Sequence, residues 1–299
     1  MTRFRILQMF AAVTAFSVSA AFTADPARPH SFAVNVTGAG RPVILIPGLQ
    51  SSGEVWNGVA AHLSARYQVH VLTLAGFAGQ PAVPGLRLAA VKDEIISYVR
   101  ENRLSRPVIA GHSLGGFLAL WIAASAPELP GGVIAVDGVP FLPALLDPDA
   151  TAGSSRAGAE KIRAMYASMD SSQLAGIGKM ALSSMITREE DVATALESAR
   201  RSDPAFVGQA VYDLMTTDLR DQMNKIRVPV LMIGAAKAFA DDPKRLAVVR
   251  DAYERQIAAV PDHKLEMDTN ALHFIMMDDP GYLLSAIDRF LTEGPADAR

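Results

Sequence analysis

Ser113 lies in Gly111-His112-Ser113-Leu114-Gly115, a G-x-S-x-G pattern. The apolar run Pro107-Val108-Ile109-Ala110 precedes it, and an apolar helical run, Phe117 to Ala126, follows it. A serine on a sharp turn from strand to helix has its hydroxyl held clear of its own backbone, and the small residues at 111 and 115 let the chain pass. Gly116, the next residue, lets the helix lie close to the strand. The helix N-terminus beyond Ser113 offers free N–H groups and the positive end of the helix dipole. These features suit acyl transfer, whose tetrahedral intermediate carries an oxyanion.

A serine hydroxyl is a weak nucleophile until a base takes its proton, and the base must in turn be oriented by an acid. His273, in Leu272-His273-Phe274-Ile275-Met276, falls between the last short strand pattern and the final helix pattern, where a base is expected. The other five histidines fit worse. His30 precedes the first strand pattern, His62 lies in a helix, His70 in a strand and His263 in a polar turn, while His112 points away from the nucleophile and packs or hydrogen-bonds locally. The oxyanion needs two donors. One is the backbone N–H of Leu114, the residue after the nucleophile. The second is the N–H of Leu49 in Pro47-Gly48-Leu49-Gln50, with Gly48 allowing close approach.

The elements that must position these residues alternate in type. Strands are expected at Phe32 to Val36, Val43 to Ile46, Val69 to Leu74, before Ser113, at Val133 to Val136, Val228 to Ile233 and Lys264 to Met267. The continuous apolar runs among them read as strands buried on both faces. Helices are expected at Val55 to Leu63, Leu88 to Glu101, after Ser113, at Arg245 to Val260 and at Pro280 to Leu291 with Asp279 as N-cap. Repeated strand–helix units imply an α/β fold with a doubly wound, mainly parallel sheet. The alternation splits the chain into a first core part, 31–140, a helical lid, 141–217, and a second core part, 218–295. Within the lid, Ile162, Met165, Tyr166 and Met169 share one helical face. Leu174, Ile177, Leu182, Met185 and Ile186 mark a second helix. Thr187-x-x-Glu190 reads as a capping box before a third, and Asp203-Pro204 as N-cap and N1 of a fourth.

Bulk properties narrow the function classes. The chain has 299 residues, half of them hydrophobic, and a net charge of −3 without a basic cluster, so nothing points to nucleic acid or an anionic membrane surface. It has no cysteine, which excludes disulfides, a thiol nucleophile and a thiolate-held metal. Met1 to Arg5 is short and basic, and Ile6 to Ala21 is apolar and uncharged. This is the pattern of a signal peptide over 1–21, cut after Ala20 or Ala21, and it implies a periplasmic or secreted protein with no membrane span after cleavage.

The pieces Ile46-Pro47-Gly48-Leu49, Trp56, Thr73-Leu74-Ala75-Gly76-Phe77, Gly111 to Gly116, Val136-Asp137-Gly138, Val228 to Gly234, and His273 ahead of Asp278-Asp279-Pro280 span most of the chain. Together they resemble the α/β-hydrolase fold enzymes of the esterase, lipase and C–C hydrolase type. Two departures are Pro47, where the family often has histidine, and Thr73, where it often has aspartate. Neither removes the chemistry, because the oxyanion donor is a backbone group.

The resemblance implies an acid in Gly-x-x-Asp after the strand at 228–233, but the stretch reads Gly234-Ala235-Ala236-Lys237. Asp241 and Asp242 come later in that loop, and they suit an N-cap ahead of Pro243. Asp137 directly follows an apolar strand, at a carboxyl end where α/β sheets build sites, and some family members carry their acid there. Asp137 is favoured, with Asp241 and Asp242 as alternatives. The expected activity is hydrolysis of a carboxylic ester through an acyl-enzyme on Ser113, with no metal or organic cofactor. Phe141, Leu142, Leu145 and the lid's Met165, Met169, Met180 and Met185 point to an apolar acyl group, although most of those methionines read as plain lid core. The other readings are an acyltransferase, a C–C bond hydrolase or perhydrolase on the same triad, and a binding protein without turnover.

Overall fold

The computed structural model describes residues 31–293, so the expected signal peptide over 1–21 lies outside the described residues. Seven strands form one sheet: β1 (Phe32–Thr37), β2 (Arg41–Ile46), β3 (Tyr67–Leu74), β4 (Val108–His112), β5 (Gly132–Val136), β6 (Val230–Ala235) and β7 (His263–Asp268). Their spatial order is β1-β3-β2-β4-β5-β6-β7, with β1 antiparallel to β3 and every other pair parallel.

Alternate residues along each central strand enter opposite cores. Ile44, Ile46, Ile109, Val133, Ala135, Val230 and Met232 face one hydrophobic cluster, shared with α2 (Leu88–Glu101), α3 (Leu114–Ser125) and α8 (Pro243–Ile257). Val43, Leu45, Val108, Ala110, Ile134, Val136, Leu231 and Ile233 face the other, shared with α1 (Asn57–Leu63) and α10 (Pro280–Glu293). This two-sided burial explains why these strands read as unbroken apolar runs. Helix α3, next to the sheet's middle strands, is buried along nearly its whole length, from Leu114 to Ala124.

Between β5 and β6 the chain leaves the sheet and forms α4 (Ala152–Ala167), α5 (Ser171–Ser183), α6 (Glu189–Arg200) and α7 (Pro204–Thr216), with α4 packed on α7 and α5 on α6. Asp203 caps α7, accepting from Phe206 N at 2.8 Å, and Pro204 takes the first helical position. The N-termini of α4 and α5 have capping boxes built on Thr151 and Asp170. Three expectations need correction. Helix α5 stops at Ser183, which leaves Met185 and Ile186 outside it. Thr187 does not cap α6: its N-cap is Arg188, without a side-chain cap, and Thr187 turns to the loop around Asp278. Met165, Met180 and Met185 are exposed rather than lid core.

Asp213 ties the inserted helices to α2. Helix α2 has no capping side chain of its own. Asp213 of α7 supplies one, accepting from Leu88 N at 2.9 Å and from Arg87 Nε at 2.8 Å, with Gln209 Nε2 at 2.9 Å as a further donor. The carboxylate is nearly fully buried and is satisfied by partners from both units. Among the described residues no helix is long and apolar enough to cross a membrane.

Candidate active site

Strands β4 and β5 end side by side and each delivers one polar residue. Ser113 follows β4 with φ 53° and ψ −117°, a backbone conformation that glycine normally occupies. Its N–H donates to Val136 O at 2.8 Å, and its carbonyl accepts from Phe117 N at 3.0 Å as α3 begins. The turn is tight. A Cβ on Gly111 would stand 2.1 Å from the Gly115 carbonyl carbon, and one on Gly115 would stand 2.2 Å from Ile46 O. Both positions therefore require glycine, which is the physical content of the G-x-S-x-G spacing.

Asp137 follows β5 and is also left-handed, with φ 50°. Its N–H donates to Ile233 O at 2.7 Å, so the neighbouring strand β6 anchors it. Oδ1 accepts from Ala235 N at 2.8 Å and from the Tyr253 hydroxyl at 2.6 Å. Oδ2 lies 2.5 Å from His273 Nδ1. The side chain is only 8% exposed. Burial alone would push its carboxyl up, but the His273 hydrogen bond and charge, with those from Ala235 and Tyr253, hold it below the usual carboxylate range. An ionised carboxylate can only accept, so Nδ1–H donates and Nε2 is the nitrogen left to take a proton. Tyr253 is in turn pushed well above its ordinary value by burial and by Asp137, so it stays a hydroxyl donor.

Neither alternative acid bonds to His273. Asp242 caps α8, accepting from Lys244 N at 3.0 Å and Arg245 N at 3.1 Å. Asp241 precedes it, exposed, and makes no hydrogen bond to His273. Lys237 occupies the place where the resemblance expected an acid, and its Nζ donates to Thr187 Oγ1 at 3.1 Å.

His112 does pack and hydrogen-bond, as expected, but on a residue remote in sequence. Its ring lies 4.6 Å from the His273 ring, and its Nε2 is 2.9 Å from the His273 carbonyl oxygen. A carbonyl can only accept, so Nε2 carries the proton. Burial first, then the neighbouring His273, push its pKa down to about 3, so the ring is neutral near pH 7. The remaining histidines serve other contacts: His62 with Asp288, His70 with Tyr98, and His263 with Glu254.

Gly48 sits directly beside the nucleophile. A Cβ there would be 3.2 Å from Ser113 Cβ and 2.9 Å from His112 Nδ1. The backbone of 48–49 thus passes against Ser113, while Gln50 takes a φ of 57° to turn the chain away. Among the described residues, neither the Leu49 nor the Leu114 N–H donates to a backbone carbonyl. Leu114 follows Ser113 directly and Leu49 follows Gly48, which lies against it, so both N–H groups are available to an acceptor near the nucleophile position. Among the described residues no group of three or more histidine, aspartate and glutamate side chains is placed to hold a metal ion. Tyr253 and the Ala235 N–H were not singled out from sequence. A buried tyrosine on a helix face has no local sign of its distant carboxylate.

A family model for the Alpha/beta hydrolase family matches residues 43–286. The chain is 24% identical over 255 residues to a pimeloyl-acyl-carrier-protein methyl ester esterase of Citrobacter koseri, covering 82% of this chain and 91% of that one. It is 26% identical over 261 residues to the N-formylmaleamate deformylase of Pseudomonas putida, covering 85% and 90%. Among solved structures, a hydrolase from Pseudomonas aeruginosa gives a TM-score of 0.71 at 19% identity, covering 87% of this chain and 94% of that one. An esterase from Thermogutta terrifontis gives 0.69 at 19% identity, covering 88% and 93%. These structural likenesses show a shared fold.

Proposed function

This chain belongs to the alpha/beta hydrolase family, and from that premise we propose that it is a serine hydrolase that cleaves carboxylic esters through an acyl-enzyme on Ser113. The observation that carries the reading is the hydrogen bond from His273 Nδ1 to Asp137 Oδ2. It fixes the tautomer in which Nε2 is a base, in a loop whose carbonyl is bound by the residue preceding Ser113.

The reaction proceeds in two halves. Ser113 Oγ attacks the ester carbonyl carbon while His273 Nε2 takes its proton. The carbonyl oxygen becomes an oxyanion, held by the N–H groups of Leu49 and Leu114. The intermediate collapses, the bond to the alkoxy oxygen breaks, and His273 returns the proton to the leaving alcohol. Water then attacks the acyl-enzyme with His273 again as base, which frees the carboxylic acid and regenerates Ser113. Asp137 stays ionised throughout and stabilises the imidazolium that forms twice per cycle.

An apolar acyl group is favoured by the apolar residues that neighbour the site in sequence: Leu114 follows Ser113, Leu49 follows Gly48, and Val139 and Phe141 follow Asp137. The full-length relatives include a methyl ester esterase and a deformylase, so cleavage of a carbon–nitrogen bond on the same residues is the second reading. Export to the periplasm or medium is proposed from the apolar segment 6–21.

The test is active-site labelling with a fluorophosphonate, followed by turnover of a panel of p-nitrophenyl esters of increasing acyl length and of N-formyl amides. Labelling at Ser113, blocked in Ser113→Ala, with ester turnover exceeding amide turnover, is the expected result. An unlabelled Ser113 in the folded protein overturns the reading, and turnover of the amides alone replaces it with the second one.

A further inference from the structure

Outside the residues that touch the reacting atoms, one carboxylate joins three parts of the chain around the proposed base. Asp278 lies in α9 (Ile275–Asp278), five residues beyond His273. Its Oδ2 accepts from Leu272 N at 2.9 Å, which closes the segment 272–278 into a loop with His273 inside it. The same oxygen accepts from Thr187 Oγ1 at 2.7 Å, and Oδ1 accepts from Thr187 N at 2.9 Å. Thr187 belongs to the connection between α5 and α6, in the inserted helices. Two further bonds run beside it: Phe274 N to Met185 O at 3.2 Å, and Arg188 Nη2 to Met277 O at 3.3 Å. Lys237 Nζ, from the loop after β6, completes the junction on Thr187.

We propose that Asp278 is a positioning residue for the base: it closes the loop that carries His273 and locks that loop to the inserted helices through Thr187. The proposal rests on the reading of His273 as base. Its physical basis is a count of constraints. His273 is held by Asp137 at its ring and by His112 at its carbonyl, and the 271–272 peptide before it is held on two sides, its carbonyl accepting from Lys237 N at 3.2 Å and its Leu272 N–H donating to Asp278. Without that acceptor, rotation about the 272–273 backbone moves Nε2 relative to Ser113 Oγ. A shift of about 1 Å between reacting groups can cost on the order of 10²-fold in rate. The arrangement also explains two departures from expectation. Thr187 leaves the α6 N-cap because its hydroxyl and N–H are taken by Asp278. Lys237 stands where an acid was expected because, with Asp137 on His273, that position is free to tie down Thr187. The 185–188 connection is accordingly part of the support of His273 and does not open independently of it.

The experiment compares wild type, Asp278→Ala, Thr187→Val, Asp137→Asn and the double variant Asp278→Ala with Asp137→Asn, all as the full chain. Read out are kcat and KM for p-nitrophenyl butyrate, the fluorophosphonate labelling rate at Ser113, and thermal melting. Asp278→Ala is expected to lower kcat and the labelling rate together by roughly 10- to 100-fold, with KM nearly unchanged. In the Asp137→Asn background the same change costs much less, because His273 is already misoriented, and this non-additivity separates positioning from a general loss of stability. Thr187→Val alters only the surface tie and is expected to give a smaller loss, again in kcat. It carries the test if Asp278→Ala does not fold. Unchanged kcat and labelling, a loss confined to KM, or full additivity with Asp137→Asn overturns the proposal. If wild type is neither labelled nor active, the reading of the site fails, and the positioning role with it. A labelled wild type with an unaffected Asp278→Ala overturns the positioning role alone.

Discussion

Ser113 and Asp137 occupy equivalent places at the tips of adjacent strands, and both are left-handed, with φ values of 53° and 50°. Each N–H is bound by the strand next door: Ser113 N by Val136 O at 2.8 Å, Asp137 N by Ile233 O at 2.7 Å. Two non-glycine residues in such conformations cost on the order of 1–3 kcal/mol each, and they persist because the sheet fixes both ends of each turn. In the proposed reaction the strain aims Ser113 at the ester and Asp137 at His273.

Ser113→Gly should therefore stabilise the fold. Relief of the strained φ outweighs the extra backbone entropy of glycine in the unfolded chain, by on the order of 1 kcal/mol. Ser113→Ala, equally inactive, keeps the strain. A higher melting temperature for Ser113→Gly than for Ser113→Ala is the expected outcome, and equal melting temperatures would show the turn to be unstrained.

Asp137→Asn leaves the shape of the side chain but removes the charge that selects the His273 tautomer. A histidine held in the wrong tautomer costs on the order of 10⁴-fold in kcat in a serine protease triad. A loss of that order is expected here, while Asp242→Asn, at the α8 N-cap, costs at most about 1 kcal/mol of stability and no activity. Steady-state kinetics on one ester with both variants decides it. Comparable small losses in both would remove Asp137 from its proposed role.

Much of this arrangement is legible in the chain because its signals are local. The apolar runs at 43–46, 108–110 and 133–136 mark strands buried on both faces, and the glycines at 111 and 115 sit where any Cβ would strike backbone. Asp137 stands out by following β5 directly, and His273 by lying between the last strand and the final helix. What could not be read is contact between distant segments. Asp213 capping α2, His112 binding the His273 carbonyl and Thr187 binding Asp278 pair residues separated by 125, 161 and 91 positions. Thr187-x-x-Glu190 has the spacing of a capping box, but the tertiary partner Asp278 competes for the same hydroxyl and wins.

His112 makes stability depend on pH. Its folded pKa, about 3, lies below its ordinary value of 6.5 because the ring is buried. Between those values the unfolded chain binds a proton that the folded chain refuses. Stability is then full above about pH 6.5 and falls as pH drops, by about 1.4 kcal/mol per unit at most, levelling off below about pH 3. His70, also lowered by burial, acts in the same direction. Urea unfolding of wild type and His112→Asn at pH 7.5 and pH 5, chosen to lie on either side of about 6.5, is the check. The variant is expected to lose less stability between the two conditions, by on the order of 1–2 kcal/mol. An identical acid loss in both proteins would mean that His112 is protonated in the fold.

In the proposed mechanism, substitution of Gly48 should separate binding of the oxyanion from formation of the nucleophile. A methyl group at 48 would press on His112 Nδ1 at 2.9 Å and Ser113 Cβ at 3.2 Å. The neighbours are a buried ring and a strained turn, so the 48–49 backbone must yield instead, which draws the Leu49 N–H away from the carbonyl oxygen. Removing one such donor costs about 10²- to 10³-fold in kcat. The Asp137–His273 bond is untouched, so the proton of Ser113 is still taken. Gly48→Ala is thus expected to lower kcat by about that factor, with the pH dependence of kcat/KM unchanged. Asp137→Asn should instead alter that profile, because it removes the negative charge bonded to His273 Nδ1. If Gly48→Ala moves the pH profile as well, residue 48 acts through His112 on the base, and Leu49 is not the second donor.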